Sequence, residues 1–73
     1  MEIIPMTIYI TLNGSPHSLA APVTLAAVLD SLGLSDKPVV VELNAEVVFP
    51  RDYPLTPVPD GARLEVVTLA AGG

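Results

Sequence analysis

The chain has no cysteine, no tryptophan and a single histidine, His17, in 73 residues. The missing cysteines exclude disulfides, zinc–thiolate and iron–sulfur ligation and a nucleophilic thiol, and one imidazole does not make a zinc site. Cations are nearly as scarce: Lys37, Arg51 and Arg63 stand against eight acidic residues, for a formal net charge of −5 and a pI near 4.3. Such a chain repels a phosphate backbone, and with Phe49, Tyr9 and Tyr53 as its only aromatics it lacks a platform for stacking bases. Composition therefore points away from nucleic acid.

Long apolar runs are absent too. The mean hydropathy is +0.60, yet the longest nearly apolar stretch, Leu19 to Leu29, contains Pro22 and Thr24 and is too short to span a bilayer. Residues 1–6 place Glu2 where a signal peptide carries positive charge, so a cytoplasmic location is expected, away from any membrane. A chain this short buries only about 60% of its unfolded surface, which argues for one small domain, residues 1–73, without a deep active site. Chemistry is expected to need a partner.

What is present reads as alternating strands and one helix. Ile8, Ile10 and Leu12 alternate with Thr7, Tyr9 and Thr11, and Asn13-Gly14 follows, the dipeptide best suited to a two-residue hairpin turn. A second strand is expected over 15–19, with Leu12 opposite Ser15, Ile10 opposite His17 and Ile8 opposite Leu19. Thr24 is a suitable helix N-cap, and Leu25, Val28, Leu29 and Leu32 form one apolar stripe that Gly33 closes, giving about two turns of helix. Val39 to Leu43 is a β-branched strand; Asn44-Ala45 is a weaker turn signal than Asn-Gly, and Val47 to Phe49 reads as a short returning strand. The segment 50–59 holds four of the eight prolines and is expected to be an ordered surface loop. Asp60-Gly61 then turns into a last strand over 63–69, completing a mixed α+β sheet with one helix covering one face.

Candidate chemistry is sparse. Glu42 and Glu46 flank a turn and invite a shared acid–base site, but solvent-facing charges on a hairpin explain them better. His17 lacks a Ser or Asp partner pattern and reads as an edge or satisfied histidine, and Arg51 with Asp52 reads as a local ion pair. No Gly-rich phosphate loop precedes the helix. The carboxyl terminus remains: Ala70, Ala71, Gly72 and Gly73 form a tail that is expected to be flexible, and four extended residues beyond Leu69 reach about 13 Å. Two glycines without Cβ atoms make the thread thin enough for a narrow channel in another protein. A carboxylate delivered there can attack the α-phosphate of ATP and become an acyl-adenylate open to a sulfur nucleophile. Glu65, Val67 and Leu69 share the outward face of the last strand, and exposed Val67 and Leu69 beside the tail read as a docking patch.

The order and spacing of Leu12-Asn13-Gly14, Thr24-Leu25 with Val28-Leu29, Leu32-Gly33-Leu34, Val41-Glu42-Leu43-Asn44, Val47-Val48, Pro50-Arg51, Asp60-Gly61, Leu64 to Leu69 and Gly72-Gly73 resemble a ThiS-type sulfur carrier from about Thr7 onward. This is a family of the ubiquitin-like β-grasp superfamily. The resemblance implies a mixed sheet of four to five strands in ββαββ order plus a short strand, with one helix on one face. It further implies a protein co-substrate without catalytic residues or bound cofactor of its own. An E1-like, ThiF-type adenylyltransferase would use ATP to activate the Gly73 carboxylate, and a partner's persulfide would supply sulfur to form a thiocarboxylate. A ThiG-type thiazole synthase would consume that sulfur for the thiazole of thiamine. A molybdopterin-synthase small subunit or a tRNA-thiolation carrier would use Gly73 identically, and a non-catalytic β-grasp binding module would leave the tail idle.

Overall fold

The computed structural model describes residues 5–69. Strand β1 (Met6–Leu12) turns through Asn13 and Gly14, both at positive φ (48° and 83°), into β2 (Ser15–Ala21). Leu12 faces Ser15, Ile10 faces His17 and Ile8 faces Leu19, the register that the two-residue turn dictates. The strand runs past the expected Leu19 because Ala20 and Ala21 pair with Thr7 and Met6; small side chains give the extension no β-propensity signal.

Helix α1 (Leu25–Ser31) starts where the Thr24 hydroxyl accepts a hydrogen bond from the Ala27 N–H at 3.2 Å. It ends with Gly33 at φ 74°, the Gly33 N–H donating to the Asp30 carbonyl and the Leu34 N–H to the Leu29 carbonyl, the paired bonds of a glycine-closed helix. Its buried stripe is Leu25, Val28 and Leu29, with Leu32 partly buried beside it.

Strand β3 (Val39–Leu43) has the expected bounds, and the turn at Asn44 and Ala45 holds both residues at positive φ (51° and 70°). Strand β4 is Glu46–Val48, starting one residue earlier than expected because Glu46 pairs with Leu43 across that tight turn. Residues 50–59 are no mere surface loop. Pro50–Leu55 winds as a 3-10 helix opened by Pro50, whose fixed φ suits a first helical position. Beyond it the Leu25 N–H donates to the Thr56 carbonyl (2.8 Å) and the Val58 N–H to the Val23 carbonyl (3.0 Å), seating Val58 in the core. Periodicity does not find a lone buried valine between prolines.

Strand β5 (Arg63–Thr68) is central in the sheet order β2-β1-β5-β3-β4, parallel to β1 and antiparallel to β3. It stops one residue short of the expected Leu69, whose N–H instead donates to the Pro38 carbonyl at 2.9 Å. The core lies between the helix and one sheet face: Ile8, Ile10, Val41, Leu64 and Val66 from the strands, the helical stripe, and Val58 and Ala62.

Candidate functional site

The tail singled out in the sequence follows β5 in the chain, so the anchoring of that strand matters first. Backbone pairing with β3 runs the length of β5, from Leu43 opposite Leu64 to Val39 opposite Thr68. Pairing with β1 covers only Thr11 with Arg63 and Leu12 with Leu64. Asn13 continues it with its side chain: Oδ1 accepts from the Val66 N–H at 2.8 Å and Nδ2 donates to the Val66 carbonyl at 3.0 Å. An amide side chain thus stands in for a peptide unit and satisfies both polar groups of Val66. Asn44 does the same at the strand's start, its Oδ1 and backbone N–H bonding Arg63 at 2.8 Å each. The strand is held on the β1 side as far as Val66 and on the β3 side through Thr68, with the Leu69 N–H donating to the Pro38 carbonyl just beyond. Those tail residues, Ala70, Ala71, Gly72 and Gly73, lie outside the described residues, as do residues 1–4.

The face of the sheet away from the helix carries the residues expected to dock a partner. On β5, Glu65 is half-buried and Val67 is 58% exposed, and Leu69 just beyond is 51% exposed. The register adds residues that reading β5 alone missed. Val40 lies opposite Val67, Glu42 lies opposite Glu65 on one side and Val47 on the other, and Val40 and Val47 are both exposed. Phe49, also exposed, follows β4 two residues beyond Val47, and the Arg51 guanidinium sits 5.7 Å from its ring centroid, within cation–π range. The missing signal was available in Val39-Val40-Val41: in a strand one of two consecutive valines must face away from the core.

The other candidates separate. Glu42 and Glu46 do not share a site, because Glu46 pairs with Leu43 and therefore faces the helix side, whereas Glu42 faces outward. His17 is half-buried on edge strand β2, opposite Ile10. Arg51 and Asp52 form the local ion pair, at 3.9 Å and exposed. Burial raises the pKa of Tyr53 above its ordinary value, and its hydroxyl has no hydrogen-bond partner among the described residues. Among those residues no cluster of three metal-ligating side chains occurs, and no helix is long and apolar enough to cross a membrane.

The ThiS family model matches residues 10–73. The chain belongs to the ThiS family. It is 42% identical over 62 residues to the sulfur carrier protein ThiS of Thermus thermophilus, covering 85% of this chain and 95% of that protein. It is also 36% identical over 64 residues to a thiazole synthase of Paramagnetospirillum magneticum, covering 88% of this chain but only 20% of the longer protein. The chain thus spans about a fifth of that relative's length. The crystal structure of thiamine biosynthesis protein ThiS from Geobacter metallireducens superposes with a TM-score of 0.78 at 30% identity, covering 90% of this chain and all of the other. The five-stranded mixed sheet with one helix is therefore the ubiquitin-like β-grasp fold of ThiS proteins.

Proposed function

We propose that this ThiS-family protein carries sulfur on its own carboxyl terminus for thiazole formation in thiamine biosynthesis. The observation that supports this most is the junction of β5 with the tail. A strand held by β3 to its last residue, and by β1 and Asn13 as far as Val66, ends five residues before Gly73, and the family match runs through that residue. A ThiF-type adenylyltransferase activates the Gly73 carboxylate: a carboxylate oxygen bonds to the α-phosphorus of ATP and pyrophosphate leaves. The terminal sulfur of a persulfide then bonds to the acyl carbon and AMP leaves. A thiol cleaves the resulting S–S bond, is itself oxidised to a disulfide, and Gly73 is left as a thiocarboxylate. This chain's part is to present the carbonyl; with no cysteine it has no thiol to compete for the sulfur.

Val67, Leu69 and Glu65 position the tail by docking their face on the enzyme that receives it. A ThiG-type thiazole synthase is the sulfur acceptor. The match of 88% of this chain to a fifth of a thiazole synthase supports that pairing, since a carrier and its acceptor gain effective concentration when joined. Deleting Gly73 tests the reading. The shortened chain is expected to keep the thermal unfolding midpoint of the wild type and to lose thiocarboxylation by the adenylyltransferase, read by intact mass. Retained thiocarboxylation contradicts the proposal and favours a module whose tail is idle.

A further inference from the structure

Glu42 and Glu65 stand directly opposite each other on the outward face of β3 and β5. Like charges directly opposed across strands destabilise a sheet. Neither is relieved by an ion pair among the described residues: Arg63, two positions along β5 on the same face, makes none with them, and Arg51 is engaged with Asp52. The two carboxylates sit among exposed apolar side chains, with Val47 beside Glu42 and the Val40–Val67 pair in the adjacent row. A partner that covers those valines takes both carboxylates out of water, and a carboxylate desolvated without a cation is strongly unfavourable.

Resting on the docking reading above, we infer that the adenylyltransferase presents an arginine between Glu42 and Glu65, and that this pair selects it over enzymes lacking a cation there. A guanidinium fits this position better than an ammonium. Its planar fork offers donors to two carboxylates at once, and its weak hydration suits an apolar ring. The face thus sacrifices some stability in the free chain for a charge-matched contact in the complex.

Calorimetric titration of the full chain with its ThiF-type adenylyltransferase tests the inference, using the wild type, Glu42→Gln and Glu65→Gln at low and high salt. Each substitution is expected to weaken binding about tenfold, or roughly 1.4 kcal/mol, and to flatten its salt dependence. The Tm of each free variant should rise, because the opposed charges are relieved. Glu46→Gln, the same charge change on the helix-side face, should leave the affinity unchanged. Affinity within about twofold of wild type for both outward variants, less than 0.4 kcal/mol, overturns the inference, and so does weaker binding accompanied by a lower Tm. If the wild type gains sulfur while the variants bind unchanged, the charge contact falls and the carrier reading stands. If the wild type neither binds nor gains sulfur, both fall.

Discussion

The two faces of one sheet treat the same residue type in opposite ways. Val41 is fully buried and Val66 is 7% exposed, whereas their immediate neighbours Val40 and Val67 are 40% and 58% exposed. Strand alternation alone sends successive side chains to opposite sides, but on a solvated face it ordinarily comes with polar residues. Here the helix-side face is apolar because α1 covers it, and the open face keeps Val40, Val47 and Val67 around two glutamates. The first set holds the fold together. The second contributes little to it, and its exposed valines are what the proposed docking on a partner enzyme would cover.

Substitutions on each face break or sharpen that contrast. Leu64 is fully buried at the centre of the sheet, so Leu64→Ala is expected to destabilise the chain by about 2–5 kcal/mol, measured by denaturant unfolding. Asn13→Ala touches neither face but leaves the N–H and carbonyl of Val66 without their side-chain partner, for a loss of about 1–3 kcal/mol in the same assay. On the open face, Val67→Asp should change stability by no more than about 0.5 kcal/mol. The same variant is expected to weaken adenylyltransferase binding, because docking would bury a further unpaired carboxylate. A large stability loss from Val67→Asp would erase the distinction between the faces.

Local signals made most of the architecture legible. Asn13-Gly14 dictated the first hairpin and its register, Thr24 and Gly33 bounded the helix, and the β-branched run from Val39 to Leu43 became β3 with those ends. Non-local features were not legible. The parallel pairing of β1 with β5 joins segments about fifty residues apart and leaves no periodicity in either. Asn13 announced a turn, while its second task, clasping Val66, depends on where β5 lies. Val58 is buried because the segment after the 3-10 helix pairs with residues 23–25, and prolines on either side disguised it as a loop.

The candidate site divides in the same way. Glu65, Val67 and Leu69 followed from alternation along one strand, but Val40, Val47 and the opposition of Glu42 to Glu65 needed the order of three strands. The hairpin supports reading Glu42 and Glu46 as separate charges, not as a shared acid–base site. In a two-residue hairpin Glu46 lies opposite Leu43, so residues 42 and 46 face opposite sides despite their closeness in the chain. The expectation for Gly73 rests on the terminal Gly-Gly and the family resemblance, and that residue lies outside the described residues.

The most direct measurement is fragmentation mass spectrometry of the chain after incubation with ATP, a persulfide donor and the ThiF-type adenylyltransferase. The account predicts one oxygen exchanged for sulfur, confined to the C-terminal fragment that contains Gly73. An unmodified terminus under conditions in which the enzyme adenylates an authentic carrier would contradict it.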